Sequence, residues 1–335
     1  MFVDTSSHAA LVSVIIPTYN RPLYLRQALK SAVEQKYQNI EIIVADNCSP
    51  ESPQVIVESF QDSRINFWRN TQNIGLSKNF INACKRARGK YIASLHDDDL
   101  WNEDFLEKLV PHLESNPDLT LAFCDHYIID TDGNINYPAT VSNTHHWKRD
   151  QLKEGVYKPF SEIGLVHQAV STATAAVIRK DAVDWDNIPS EVGCLLDVYI
   201  TYLCCRSGAG AYYCPEKLTK YREHTQTDTM LCGRDVQIKI RNALARIWCY
   251  ERLMEDEQLQ EFRPYFKQQW VQANTTLGIG LLRAEQVAQA RPYFWRSLSQ
   301  EFSLRTMAAL MLSFTPKSLT TIFRHQEFRS SGVQN

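Results

Sequence analysis

Residues 91–99 read YIASLHDDD, a short apolar strand followed at once by three consecutive carboxylates. Neighbouring carboxylates repel one another, and a divalent cation with oxygen ligands is the partner that most directly offsets this repulsion. An Asp-rich turn is the alternative, because Asp also favours turns through hydrogen bonds to nearby backbone. The triplet alone leaves both interpretations open, and the surrounding sequence has to decide between them.

Strand and helix patterns alternate through the first hundred residues. Four short apolar runs rich in β-branched residues predict strands: residues 12–16, 40–45, 65–68 and 91–95. Residues 76–88 have the apolar spacing of a helix that Gly89 would end, and Asn20 is expected to cap an earlier helix with Pro22 in its first turn. This alternation predicts an α/β fold with a mostly parallel central sheet flanked by helices.

Polar residues stand where these predicted strands end. They are Thr18, Tyr19 and Asn20 after the first strand, Asp46 and Asn47 after the second, and Asp97, Asp98 and Asp99 after the fourth. Ligands of parallel sheets bind at the carboxyl ends of the strands, so a binding site is expected there. The sequence contains neither GxGxxG after the first strand nor GxxxxGK[ST], which disfavours a dinucleotide-binding domain and a P-loop.

The rest of the chain divides into two regions of different character. Further strands are predicted at residues 119–130, 171–178, 211–214 and 218–222, a helix at 194–206, and an irregular loop at 134–165. Strand patterns stop near residue 233, and helical patterns follow to near residue 325. We therefore expect one domain over residues 1–232, which contains the predicted binding site, and an all-α region over residues 233–335.

Composition excludes several classes of protein. The 335 residues include 36 basic and 38 acidic side chains, and a net charge of −2 gives no reason to expect a nucleic-acid partner. Nine cysteines without a CxxC pair fit free thiols in a reducing compartment. Residues 1–10 do not resemble a signal peptide, and no apolar stretch reaches the roughly 18 residues of a spanning helix, so a cytoplasmic protein is expected.

Four segments in the expected order resemble motifs of the family 2 glycosyltransferases of the GT-A fold. They are VIIPTYNR at 14–21, IIVADNCS at 42–49, NIGLSKN at 73–79 and GKYIASLHDDD at 89–99, and the resemblance extends over roughly residues 12–225. It implies transfer of a sugar, with inversion, from a nucleotide-diphosphate donor to an acceptor hydroxyl. A UDP-sugar is the favoured donor, and the acceptor would be a saccharide or a lipid-linked molecule in bacterial polysaccharide or glycolipid biosynthesis. No QxxRW motif follows, which favours a non-processive enzyme.

The resemblance also implies roles for individual residues. The nucleotide would be held by Pro17, Thr18, Tyr19, Asn20, Asp46, Lys78 and Asp97, with Asp46 reading the base. Asp98 would bind Mg²⁺ or Mn²⁺ directly, whereas Asp99 is expected to cap a helix that begins near Asn102. His224, in the segment YREH at 221–224, would contact the metal or the diphosphate, and an ordinary loop histidine is its alternative.

Three positions depart from the family pattern. Ala45 stands where an acid is common, which leaves Asp46 as the carboxylate that would read the base. Asp197 occupies the place of the catalytic base, although Leu196 replaces the Glu that usually precedes it. A helix N-cap or a buried ion pair is the alternative for Asp197. His96 takes the first acidic position of the metal motif, where it either supports the ligands or is simply packed or exposed to solvent.

The carboxyl-terminal segment 302–328 mixes apolar residues with arginine and lysine. It is expected either to make peripheral contact with the inner face of the plasma membrane or to pack as a helical hairpin on the catalytic domain. Two other functions stay open from the sequence. One is a catalytically impaired protein of the same fold that binds nucleotide sugars or a protein partner. The other is a sugar-nucleotidyltransferase, which usually carries a Gly-rich loop where residues 17–22 stand here.

Overall fold

The computed structural model describes residues 9–224 and 235–315. The chain divides between residues 225 and 226 into two compact units, each with its own apolar core.

Nine strands of the amino-terminal unit form one sheet. They are β1 (Val12–Thr18), β2 (Ile40–Asp46), β3 (Ile65–Arg69), β4 (Tyr91–Ser94), β5 (Leu100–Trp101), β6 (Leu119–Ile129), β7 (Gly155–Tyr157), β8 (Ala176–Arg179) and β9 (Gly210–Arg222). Their order is β3-β2-β1-β4-β8-β6-β9-β5, and β7 pairs with β9. The α/β prediction is confirmed.

The sheet is mixed rather than parallel throughout. Strands β3, β2, β1 and β4 are parallel neighbours, as are β6 and β9, whereas β8 runs antiparallel between β4 and β6. The chain reaches β8 through a long excursion rather than a helical crossover, so it enters the sheet at the carboxyl end of β4. This entry brings the residues before β8 next to the acidic triplet.

Six helices accompany the sheet: α1 (Pro22–Val33), α2 (Gln54–Glu58), α3 (Leu76–Arg86), α4 (Phe105–Ser115), α5 (Tyr137–His146) and α6 (Leu196–Cys205). Arg21, not Asn20, is the N-cap of α1, because Asn20 adopts a left-handed φ of 54°. Helix α3 ends at Arg86, so Gly89 is not its cap. A Cβ at Gly89 would lie 2.7 Å from the backbone nitrogen of Ser13, so glycine is required where the chain passes β1.

Three further elements differ from their predictions. The segment expected to be irregular contains α5, β7 and a turn of π-helix at Glu162–Val166. The strand predicted from residue 171 begins only at Ala176. The two short strands predicted near the end of the domain are one strand, β9, whose register shifts opposite Asp125. Short-range patterns do not reveal this continuity because the shift interrupts the alternation of apolar residues.

The described part of the carboxyl-terminal unit is helical, as predicted. It consists of α7 (Val236–Glu255), α8 (Arg263–Arg283), α9 (Val287–Leu298) and α10 (Leu304–Leu312), with a short 3₁₀ segment at Glu257–Phe262. The predicted helical pattern of residues 316–325 lies outside the described residues. Across the described ranges, every helix is too short or too polar to cross a membrane.

Candidate active site

The acidic triplet lies at the carboxyl end of β4, beside the ends of β1 and β9. Asp97 faces the end of β1: its Oδ2 accepts the Thr18 hydroxyl at 2.7 Å and the Tyr19 backbone N–H at 3.3 Å. Nη1 of Arg21 donates to its Oδ1 at 3.0 Å. Burial and the neighbouring charge of Asp98 raise the pKa of Asp97 to about 6, although Arg21 and Thr18 oppose the shift.

Among the three carboxylates of the triplet, Asp98 has the most positive surroundings. Its Oδ2 lies 2.7 Å from Nη1 of Arg21 and 3.0 Å from Nε2 of His224. Burial acts to raise the pKa of Asp98, but the charges of Arg21, His96 and His224 outweigh it and lower the pKa. Asp98 is therefore an anion at neutral pH, as a metal ligand must be.

Asp99 accepts hydrogen bonds from other segments of the chain and does not cap a helix. Its Oδ1 accepts the backbone N–H of Arg222 at 2.8 Å, and its Oδ2 accepts the hydroxyl of Thr174. Burial and the charge of Asp98 raise the pKa of Asp99 to about 7. The predicted capping role is wrong, because the next helix, α4, begins at Phe105 with Asp104 as its N-cap. Asp99 instead joins β9 and the segment before β8 to the end of β4.

Three side chains are close enough to share a metal ion. One ligand atom each from His96, Asp98 and Asp99 lie within 4.8 Å of one another. Carboxylate oxygens suit Mg²⁺ and Mn²⁺. The donor set therefore fits a divalent cation, and His96 is nearer to it than the sequence alone indicated.

Arg222 fixes the backbone of this site and was missed at the sequence level. It is fully buried, and its Nε donates to the carbonyl oxygen of Asp98 at 2.7 Å. Its Nη1 donates at 3.0 Å to the carbonyls of Asp130 and Thr131, and its Nη2 donates to Gln27 at 2.8 Å. Arg21 was missed as well, although it is the last residue of the first motif. Its place in that motif was the available signal for Arg21, whereas Arg222 is 123 residues from Asp99 and the sequence offered no signal for it.

Asp46 is connected to the same region by hydrogen bonds within the protein, and its carboxylate does not face solvent. Its carboxylate is fully buried and accepts from the hydroxyl and N–H of Ser49 and, at 2.8 Å, from Nη1 of Arg69. Ser49 in turn accepts the backbone N–H of Asn20 at 2.8 Å. These hydrogen bonds connect the ends of β1 and β2. Recognition of the nucleobase by Asp46 stays a prediction.

Pro17 and Lys78, two other residues predicted to contact the nucleotide, have different surroundings. Pro17 is buried within β1. Lys78 is exposed in the first turn of α3, where the neighbouring Ser77 hydroxyl donates to the Gly193 carbonyl at 2.9 Å. This bond connects α3 to the segment before α6. Helix α6 itself carries Asp197.

Asp197 stands in the first turn of α6 and is accessible to solvent, although protein atoms surround it. This surrounding protein raises the pKa of Asp197, while His96 and the Thr172 hydroxyl, 3.1 Å from Oδ1, partly oppose the shift. Leu195, rather than Asp197, is the N-cap of α6. His96 therefore lies within electrostatic reach of both Asp98 and Asp197.

The mixed sheet and the acidic cluster at the carboxyl end of β4 are those of the GT-A fold class. The family model described as Glycosyl transferase family 2 matches residues 13–181, just over half of the chain. The chain belongs to this family.

Curated relatives cover the amino-terminal part of the chain. An uncharacterized glycosyltransferase of Methanocaldococcus jannaschii is 40% identical over 129 residues, which are 37% of this chain and 44% of the relative. A Bacillus subtilis glycosyltransferase provisionally assigned to teichuronic acid biosynthesis is 36% identical over 100 residues, 29% of this chain and 40% of the relative. The chain thus spans about two fifths of the length of the first curated relatives it matches.

Solved structures share the fold at low sequence identity. Residues 1–349 of TarS from S. aureus align with a TM-score of 0.60 at 15% identity, covering 90% of this chain and 88% of that solved chain. The mannosyltransferase PcManGT from Pyrobaculum calidifontis, in complex with GDP-Man and Mn²⁺, aligns with a TM-score of 0.58 at 17% identity, covering 92% and 89%. Both confirm the GT-A fold.

Proposed function

We propose that this protein is an inverting, non-processive, metal-dependent glycosyltransferase. It takes a sugar from a nucleotide-diphosphate donor, with a UDP-sugar favoured, and passes it to the hydroxyl of a saccharide or lipid-linked acceptor. The fold neighbours support the donor class, because TarS has been solved with UDP-GlcNAc and PcManGT with GDP-Man and Mn²⁺. A cytoplasmic location and a role in polysaccharide or glycolipid assembly are part of the same proposal.

One observation carries the proposal. One ligand atom each from His96, Asp98 and Asp99 lie within 4.8 Å of one another at the carboxyl end of β4, which is close enough for the three side chains to share one divalent cation. Asp98, with His96, Asp99 and His224 as further ligands, would hold Mg²⁺ or Mn²⁺. A bound ion would neutralise the charge that develops on the leaving diphosphate.

Asp197 would accept the proton of the acceptor hydroxyl. Its raised pKa makes it a stronger base than an ordinary aspartate, and its accessibility allows an acceptor to reach it. Attack from the side of the sugar opposite the diphosphate would invert the anomeric centre. The backbone of Thr18, Tyr19 and Asn20, together with Asp97, would hold the ribose and base.

The direct test combines donor binding with turnover. Nucleotide sugars are screened by thermal shift with Mn²⁺, since a ligand that binds only the folded protein raises its melting temperature. The stabilising donor is then assayed for hydrolysis and for transfer to saccharide and lipid-linked acceptors. Asp98→Asn is expected to abolish metal-dependent donor binding. Asp197→Asn should keep donor binding and lower transfer by about 10²–10⁴-fold.

Asp186→Asn is the matched control, because Asp186 is exposed and pairs only at the surface with Lys85. Donor binding without turnover by the wild-type protein, across all donors and acceptors, would contradict the proposal and favour a non-catalytic binding protein. Nucleotidyl transfer from a nucleoside triphosphate to a sugar phosphate would instead identify a nucleotidyltransferase.

A further inference from the structure

The last described helix, α10, has apolar side chains on its solvent side as well as on its core side. Ala309 and Leu310 are buried in the core of the unit, together with the hydroxyl residues Thr306 and Ser313. Leu304 is nevertheless 78% exposed and Met311 is 63% exposed. Helices at the surface of globular proteins usually keep their apolar side chains toward the core.

Hydrogen bonds inside the carboxyl-terminal unit fix this orientation. The Thr306 and Thr275 hydroxyls lie 2.8 Å apart, and Thr275 also bonds to Ser297 at 2.9 Å. Nη2 of Arg291 donates to the carbonyl of Ser313 at 2.7 Å. Rotating the helix to bury Leu304 would break these bonds and expose Ala309 and Leu310 instead. The outward apolar residues are therefore built into the unit.

The exposed residues form a continuous surface, which we call the outer face. It consists of Leu304, Ala308, Met311 and Leu312, whose spacing of four, seven and eight residues places them on one side of the helix. Exposed phenylalanines extend it at both ends, Phe302 before the helix and Phe314 after it. The Arg291 guanidinium lies 4.1 Å from the ring centre of Phe314 and adds positive charge at that end.

The charge around the outer face selects its partner. Residues 302–315 contain Arg305 and no Asp or Glu, Glu301 precedes them, and Arg291 adds a second positive charge beside Phe314. Residues 316–335 contain three basic side chains and one acidic one, so they would bring like charges to this face, as would the same face of a second copy of the chain. An anionic lipid surface would instead accept both the apolar side chains and the arginines.

We propose that the outer face of α10 lies on the surface of an anionic membrane. Leu304, Met311 and Phe314 enter the boundary between headgroups and acyl chains, while Arg305 and Arg291 pair with lipid phosphates. The proposal does not depend on the sugar-transfer chemistry of the amino-terminal unit, so either can fail without the other.

Sedimentation of the full chain with lipid vesicles tests the proposal. The wild-type protein is expected to bind vesicles of phosphatidylcholine mixed with phosphatidylglycerol and to stay in solution with phosphatidylcholine alone. The double variant Leu304→Gln/Met311→Gln should have an affinity for the mixed vesicles that is lower by about tenfold or more, since two apolar side chains no longer leave water. Val55→Gln is the control, because Val55 is a 76% exposed apolar residue of α2 in the other unit.

Circular dichroism establishes that each variant is folded before its binding is compared. Absence of wild-type binding to the mixed vesicles, or equal binding by the double variant, would overturn the proposal. Self-association that the double variant abolishes, without vesicle binding, would identify a second copy as the occupant. Vesicle binding that appears only after deletion of residues 316–335 would show that this segment covers the face, and would overturn the proposal for the full chain.

Discussion

Nη1 of Arg21 lies 2.7 Å from Oδ2 of Asp98, so the residues after β1 are ion-paired with those after β4. The same nitrogen is 3.0 Å from Oδ1 of Asp97. A single guanidinium thus offsets part of the repulsion between these two carboxylates, for which the sequence predicted a metal partner. Arg21 and a divalent cation are therefore alternative sources of positive charge for Asp98.

Arg21→Ala should make the protein more dependent on metal for stability. In chelator, the loss of charge-assisted hydrogen bonds to a partly exposed arginine is expected to cost about 1–3 kcal/mol. Mn²⁺ should raise the melting temperature of the variant more than that of the wild type, because the freed carboxylates bind the ion without displacing a guanidinium. Thermal shift with and without Mn²⁺ measures both effects.

The control for this comparison is Arg26→Ala, which removes an exposed arginine from the same helix. It should leave both melting temperatures close to those of the wild type. An Mn²⁺ response of Arg21→Ala no larger than that of the wild type would show that the two cations do not compete.

Thr172→Val should shift the acid limb of the pH–rate profile to higher pH. The Thr172 hydroxyl stabilises the ionised form of Asp197 and so lowers its pKa, which burial has raised. Without this bond the pKa rises further, and less of the base is deprotonated at low pH. At pH values below the pKa of Asp197, kcat/KM should be lower than that of the wild type by roughly two- to tenfold, the factor for one hydrogen bond of about 0.5–1.5 kcal/mol. At pH values above this pKa, kcat/KM should equal that of the wild type.

Thr201→Val is the matched control, because the Thr201 hydroxyl donates to the backbone carbonyl of Asp197 at 2.8 Å and not to its carboxylate. Its acid limb should stay in place. A pH-independent loss of rate in Thr172→Val would assign Thr172 a purely structural role and count against Asp197 as the titrating base.

Arg222→Lys should destabilise the amino-terminal unit strongly despite keeping the charge. The single ammonium of lysine cannot replace the planar fork that reaches the carbonyls of Asp98, Asp130 and Thr131 together with Gln27. Buried carbonyls left without donors should lower the free energy of unfolding by about 3–5 kcal/mol, measured by urea denaturation. Arg206→Lys, at an exposed arginine, should change it little. Equal stability of the two variants would contradict this assignment of Arg222.

The sequence predicted those parts of the site that depend on local pattern. Apolar runs located β1, β2 and β4, and parallel strands necessarily bring Thr18, Asp46 and Asp97 to one edge of the sheet. It did not predict the contacts of Arg222 with Asp98 and Asp99, because 124 and 123 residues separate these partners and the pairing depends on how β9 enters the sheet. The same holds for Thr174, which reaches Asp99 only because β8 is antiparallel to β4.

The buried histidine of β6, His126, should make the stability of the protein sensitive to mild acid. Burial and the positive charge of Arg149 lower its pKa to about 3, from a usual value of 6.5. The unfolded chain therefore binds a proton between these two values while the folded protein does not. Stability is fully present above about pH 6.5 and falls as the pH decreases toward 3, with a slope of about 1.4 kcal/mol per pH unit.

His126→Gln should flatten this decrease, because glutamine does not titrate and its amide oxygen can still accept from Nη2 of Arg149, which lies 3.4 Å from Nε2 of His126. Between pH 7 and pH 5 the wild type should lose about 2 kcal/mol more than the variant, measured from urea unfolding curves. Subtracting the two curves removes the effect of Asp97 and Asp99, whose raised pKa values act in the opposite direction. His145→Gln, at an exposed histidine of α5, should follow the wild type. Parallel curves for wild type and His126→Gln would mean that His126 is not held neutral by the fold.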